Sequence, residues 1–149
     1  MASVPVNSDC RILVVDDNVD AADTLVSLLK LLGFHAYATY DGQEAVLLAK
    51  VLQPHLVILD INMPGMDGFE TAASIRETEV SQRPYLVALT GSEADLDPVL
   101  ATCMGFDRFV TKPVSTRTLA ELAHAAAHQA GDTASSRRVS QPWSASLGE

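Results

Sequence analysis

Asp16, Asp17, Asp60, Thr90 and Lys112 each stand at, or just after, the end of a short apolar run. The runs are Arg11-Ile12-Leu13-Val14-Val15, Leu56-Val57-Ile58-Leu59, Tyr85-Leu86-Val87-Ala88-Leu89 and Arg108-Phe109-Val110. If these runs are neighbouring strands of a parallel sheet, their carboxyl ends open on one edge. Residues scattered over nearly the whole chain then meet in a single shallow pocket. Three carboxylates brought that close raise one another's pKa unless a cation neutralises them. Hard oxygen donors with positions left for water suit Mg2+. A divalent ion, an ammonium and a hydroxyl around one acid would stabilise the equatorial oxygens of a phosphoryl group in transit. Asp60 would be the nucleophile and an acyl phosphate the product.

The elements that must position these residues follow from the hydrophobic pattern. Runs of four or five apolar residues read as strands buried on both faces. Between them lie helical stretches. Leu25, Leu28, Leu29 and Leu32 recur at i, i+3, i+4 and i+7 in a helix from about Asn18 to Leu32, which Gly33 ends. Phe34–Ala38 reads as the second strand, and Asp41 caps a helix to about Leu52, with Pro54 beyond it. A helix follows from about Gly68 to Glu77, another over about Asp95–Met104, and a last one over about Thr116–Ala130. Pro98 restricts the fourth helix to a short or irregular start. The Pro64–Gly68 stretch turns the chain sharply after Asp60.

Alternating strands and helices at this spacing predict an α/β fold: a doubly wound, five-stranded parallel sheet with helices on both faces. The flavodoxin-like strand order 2-1-3-4-5 fits best. Residues 1–10 read as a polar lead-in, 11–130 as one domain, and 131–149 as a flexible tail of small and polar residues. Arg137, Arg138, Ser140 and Trp143 in that tail carry only weak motif signals. A chain of 149 residues with net charge −9 lacks the basic surface that nonspecific nucleic-acid or membrane-surface binding requires. No apolar run approaches the roughly 18 residues of a membrane span, and the N-terminus has no export signal. Cys10 and Cys103 have no metal-binding or redox spacing and read as reduced, near-core residues of a cytoplasmic protein.

The pieces Val14-Val15-Asp16-Asp17-Asn18, Leu59-Asp60-Ile61-Asn62-Met63-Pro64-Gly65-Met66-Asp67-Gly68, Ala88-Leu89-Thr90-Gly91 and Lys112-Pro113, in that order on successive strand ends, resemble the receiver domain of two-component response regulators. The resemblance covers roughly residues 10–130. It implies that Asp60 accepts phosphate from a phosphohistidine on a histidine kinase or a histidine phosphotransfer protein. Asp16, Asp17 and the main-chain carbonyl of Asn62 would help Asp60 hold Mg2+, and Lys112 would contact the carboxylate and then the phosphoryl oxygens. Thr90 and Phe109 would be the switch pair that biases the face made by the fourth helix, the fifth strand and the last helix. Pro113 would follow a cis peptide bond. Phe109 has no phenolic hydroxyl, so a signal carried by that oxygen is absent.

The functional expectation is a phosphorylation-dependent signalling switch, not an enzyme acting on an external substrate. Its output partner is unknown, and a phosphorylation-dependent dimer is among the modes open to it. The tail is too short for a DNA-binding output domain, and the starting Met with its own tail points to a stand-alone chain. The alternative is the receiver of a hybrid histidine kinase phosphorelay. A phosphatase of the haloacid-dehalogenase type fits poorly, because its second acid is here Asn62, which cannot act as general acid or base. A pseudo-receiver would lack one of the acids, the threonine or the lysine, and none is missing. Single residues also have plainer readings: Asp16 and Asp17 as a helix cap, Thr90 as a turn residue, Lys112 as a solvated charge. Their joint placement favours the site. His124 and His128 lie four apart on one helix face with no third ligand and read as exposed surface; His35 and His55 show no partner.

Overall fold

The computed structural model describes residues 10–62, 68–77, 83–91 and 105–136, with side chains of the last helix described through His128. In chain order the elements are β1 (Arg11–Val15), α1 (Val19–Leu31), β2 (His35–Thr39), α2 (Gly42–Leu52), β3 (Leu56–Asp60), α3 (Gly68–Glu77), β4 (Tyr85–Thr90), β5 (Arg108–Thr111) and α4 (Thr116–Ser136). All strand pairs are parallel, in the order β2-β1-β3-β4-β5. The doubly wound topology expected from the sequence is the one observed. The helix expected over 95–104, the turn residues 63–67, Cys103 and the tail from 137 lie outside the described residues. Among the described residues no helix is long and apolar enough to cross a membrane.

The continuous apolar runs are divided by the pleat of the sheet. Successive side chains on a strand face opposite layers, so Ile12, Val14, Leu56, Ile58, Val87 and Leu89 pack with α1 and α4 in one core cluster. Leu13, Val15, Val57, Leu59, Leu86 and Ala88 pack with α2 and α3 in the other. Between their first and last residues the three central strands therefore offer no polar side chain. Cys10 belongs to the first cluster, where burial pushes its thiol up to about 11.

Local chemistry stops and starts the helices where the strand ends need them. The Asn18 side chain accepts from Ala21 N–H at 3.0 Å and caps α1, and Asp41 does the same for α2 through Glu44 N–H at 2.7 Å. The Ser115 hydroxyl accepts from Thr118 N–H at 3.0 Å at the start of α4. Gly33, at φ +100°, ends α1, while α2 ends on Gln53 in the left-handed region (φ 52°). Four strands run one residue past their expected ends, to Thr39, Asp60, Thr90 and Thr111. The last helix continues through Gly131 to Ser136. An isolated glycine costs a helix about 1 kcal/mol relative to alanine, too little to stop one already held by packing along its preceding turns.

Two side-chain clamps hold the opposite edge of the sheet. Arg11 donates to the carbonyls of Leu52 and Gln53, both at 2.8 Å, while its N–H donates to His55 Nδ1 at 3.0 Å. His55 therefore has a partner, contrary to the sequence reading, because the loop after α2 returns beside the start of β1. Arg76 at the end of α3 donates to Gly105 O at 2.7 Å, Pro84 O at 2.8 Å and Asp107 at 2.8 Å. Asp107 in turn accepts from Leu86 N–H at 2.8 Å. This clamp sets where β4 and β5 begin.

Two predictions follow from these packed groups. Arg76→Met removes a guanidinium that satisfies two carbonyls and a half-buried acid, so the urea unfolding free energy should drop by about 2–4 kcal/mol. A drop below 1 kcal/mol would show that water replaces it. The Cys10 thiol holds its proton in the folded chain up to about 11 against 9.0 for an ordinary thiol. Its contribution is complete below pH 9 and is lost as the pH rises toward 11, because the unfolded chain then binds fewer protons. The stability advantage of the wild type over Cys10→Ala should shrink by about 2 kcal/mol across that window.

Candidate functional site

At the carboxyl edge of the sheet the ladder continues one residue beyond the strands. Asp16 N–H donates to Thr39 O at 3.2 Å, Ile61 N–H to Leu89 O at 3.1 Å, and Lys112 N–H to Thr90 O at 2.8 Å. These bonds hold the backbones carrying the acids and the lysine in fixed register. Thr90 thus anchors Lys112 through its main chain, a link that residue types alone do not reveal.

Asp16 and Asp60 are built alike. Asp16 Oδ1 accepts from Asn18 N–H at 2.9 Å, and Asp60 Oδ1 accepts from Asn62 N–H at 2.9 Å. Each acid is turned by the backbone two residues on, the local bond that Asp forms readily. The remaining oxygens converge on one cation: Lys112 Nζ lies 3.3 Å from Asp16 Oδ2 and 3.2 Å from Asp60 Oδ2. Asp16 is 1% exposed and Asp60 5%, whereas Asp17 is exposed. One carboxylate oxygen from each of Asp16, Asp17 and Asp60 lies within 4.8 Å of the others. The reading of Asp16 and Asp17 as a helix cap fails, because Asn18 caps α1 and Asp16 turns back into the cluster.

Burial is the main reason the Asp60 carboxyl is raised above the ordinary carboxylate range. Asn62 N–H and the charge of Lys112 pull it down, while the charge of Asp16 pushes it up again. Burial also works against the charge of Lys112. The attraction of Asp60 and then of Asp16 outweighs that burial and leaves the ammonium raised. Lys112 is therefore a firm cation in a site that still carries an excess of negative charge. Such a site attracts a further cation and has hard oxygen donors ready for it.

The switch candidates lie on the other side of the sheet. Thr90, 1% exposed, ends β4 opposite Thr111, and Phe109 sits opposite Ala88. By strand alternation Thr90 shares its face with Ala88, the layer in which Phe109 is half-buried. The Lys112–Pro113 peptide is cis. Beside the acids a groove of about 480 Å³ opens between α1 and the segment after β5, with Asp16 and Asp20 at its rim and Leu25, Leu28, Leu89 and Val114 along it. His124 and His128 are exposed on α4, away from this edge, and the His124 ring contacts Phe34 at 5.7 Å. Phe106, whose ring packs on Phe109, escaped the sequence reading, although the Phe106-x-x-Phe109 spacing was a visible signal.

The sequence matches the family model of the response regulator receiver domain over residues 12–124. The fold is similar to a CheY-like receiver domain from Methylobacillus flagellatus, at 26% identity and a TM-score of 0.72, covering 78% of this chain and 98% of that one. It is also similar to the chemotaxis protein CheY4 of Vibrio cholerae, at 24% identity and a TM-score of 0.72, over 78% and 98% of the two chains. A third similar structure is the receiver domain of sensor histidine kinase PA1611 from Pseudomonas aeruginosa PAO1, at 24% identity and a TM-score of 0.72, over 80% and 98%. That structure has a magnesium ion coordinated in its active-site cleft.

Because buried carboxylates crowd this edge, Asp60→Asn should stabilise the metal-free protein. The Asn62 N–H keeps an oxygen acceptor, while the cost of burying a charged carboxylate disappears together with the smaller repulsion from Asp16. The expected gain is about 1 kcal/mol in urea unfolding with a chelator present. A loss of stability would mean that the Lys112 pair outweighs the burial cost and the repulsion together.

Proposed function

The chain belongs to the response regulator receiver family of two-component signalling, and from that premise we propose that it is a phosphorylation switch whose acceptor is Asp60. The observation that carries this reading is the convergence of Asp16 and Asp60 on Lys112, at 3.3 and 3.2 Å, on one sheet edge. Receiver domains act as signalling switches, so the aspartyl phosphate is the signal itself.

The reaction needs little beyond positioning. A carboxylate oxygen of Asp60 attacks the phosphorus of an N-phosphohistidine. The new O–P bond forms as the P–N bond breaks, and the bonding pair returns to the imidazole nitrogen. Asn62 N–H orients the carboxylate by holding Oδ1. Lys112 transfers its attraction from the carboxylate to the phosphoryl oxygens, an electrostatic contribution already aimed before the donor arrives. The donor set fits Mg2+: three carboxylates of which one is exposed, with oxygens within 4.8 Å of one another. Asp16, Asp17, Asp60 and the main-chain carbonyl of Asn62 would hold it, and when bound it neutralises charge on the phosphoryl oxygens.

The donor is a histidine kinase or histidine phosphotransfer protein. The groove beside α1 gives it an apolar floor with acids at the rim next to Asp60. After transfer, the Thr90 hydroxyl turns toward the phosphoryl group and Phe109 follows, changing the face offered to an output protein or a second copy. Thr90 is buried and Phe109 half-buried in the layer opposite the groove, so the switch ring does not line the donor groove.

With acetyl phosphate and Mg2+ the intact mass should rise by one phosphoryl group, and hydroxylamine should remove it. Asp60→Asn should show no gain, and Lys112→Ala should slow adduct formation by about 10²-fold. An unchanged gain in Asp60→Asn would overturn the assignment of the acceptor.

A further inference from the structure

The first turn of α3 touches the acceptor strand more closely than any side chain would allow. A Cβ on Gly68 would lie 2.4 Å from Ile61 Cα and 2.7 Å from the carbonyl oxygen of Asp60. Gly68 N–H also donates to Ile61 O at 3.3 Å. Backbone packed on backbone at this distance cannot move on one side alone. The helix start and the acceptor's own carbonyl therefore shift together.

The next residue, Phe69, begins a series of rings. Phe69 meets Phe106 edge to face, with centroids 5.9 Å apart and planes at 80°. Phe106 meets Phe109 at 6.3 Å and 63°. Both pairs have the separation that aromatic rings favour. The middle ring is 5% exposed, and the two end rings are half-buried in the same cluster, which also contains Ile61. Phe109 has no hydroxyl to anchor it by a directed hydrogen bond. Its position is set by the shape of the hole that Phe106 helps to form.

We infer that Gly68 and the series Phe69–Phe106–Phe109 couple the acceptor to the switch ring by packing, along a line that does not pass through Thr90. Phe69 and Phe106 are thus positioning residues for Phe109. The inference rests on the reading of Asp60 as phosphoacceptor. Movement of residues 60–62 on phosphorylation displaces the first turn of α3, the Phe69 edge moves on Phe106, and the hole occupied by Phe109 changes shape.

The chain has four phenylalanines, so 4-fluorophenylalanine labelling gives four fluorine resonances, assignable by single Phe→Leu variants. Phe34, against His124 on the other side of the sheet, is the internal reference. With acetyl phosphate and Mg2+, the resonances of Phe69, Phe106 and Phe109 should move, while that of Phe34 stays. In Phe69→Leu the mass adduct should form as in the wild type while the Phe109 response falls roughly twofold or more, and Phe69→Tyr should restore it. In Thr90→Ala part of the Phe109 response should survive. A full Phe109 response in Phe69→Leu overturns the inference, as does its complete loss in Thr90→Ala with the adduct present. A wild-type adduct without any Phe109 response overturns the coupling alone, whereas absence of the adduct removes the acceptor reading and the coupling together. A Phe34 resonance at its wild-type position shows that each variant is folded.

Discussion

The site depends on one ammonium held between two buried carboxylates that come from different strands. Lys112 reaches both Asp16 and Asp60 only because β1, β3, β4 and β5 are locked in register and the ladder runs one residue past their ends. A shift of one residue in β1, β3 or β5 would send a charged side chain to the opposite layer. There it would meet the apolar faces of α2 and α3 and cost several kcal/mol as an unpaired buried charge. Register and site are therefore one constraint. The apolar interiors of the strands secure the first, and the polar residues at their ends use it.

The same constraint explains why the second edge of the sheet is clamped so heavily. Arg76 joins the end of α3 to the segments that start β4 and β5, and Arg11 joins the start of β1 to the end of α2. Neither touches the acids. Both fix where a strand begins, and a five-residue strand leaves little slack between its beginning and its end. The lysine's aim is decided about 15 Å away, at roughly 3.3 Å per residue.

Much of this was legible in the residues. The strand order, the limits of α2 and α3 and the convergence of Asp16, Asp17, Asp60 and Lys112 follow from apolar runs, caps and the rule that parallel strands end on one edge, whereas Thr90 ends β4 on the opposite face. Bonds between residues distant in sequence were not legible. His55 received a partner from β1, Arg76 bonds to carbonyls that have no sequence identity, and Thr90 acts on Lys112 through its backbone. Gln53 takes a left-handed conformation that glycine or asparagine would have announced. The helix end at Ser136 was missed because Gly131 reads as a stop when packing is ignored. The ring series escaped because Phe69 lies far from Phe106 in sequence, and each residue alone reads as ordinary core.

The alternation of each strand between two layers also bears on how such a chain changes over generations. Asp60, by its place in β3, follows Ile58 toward α1 and α4, while Thr90 follows Ala88 toward α2, α3 and Phe109. Substitutions around the groove alter one layer, and those around Phe109 alter the other, with the sheet backbone between them. Under the proposed reading the donor meets the groove side and the switch ring sits in the opposite layer, while the last helix, part of the output face, packs on the groove side. A change on one side therefore reaches the other chiefly through the backbone at the strand ends, where Gly68 meets Ile61.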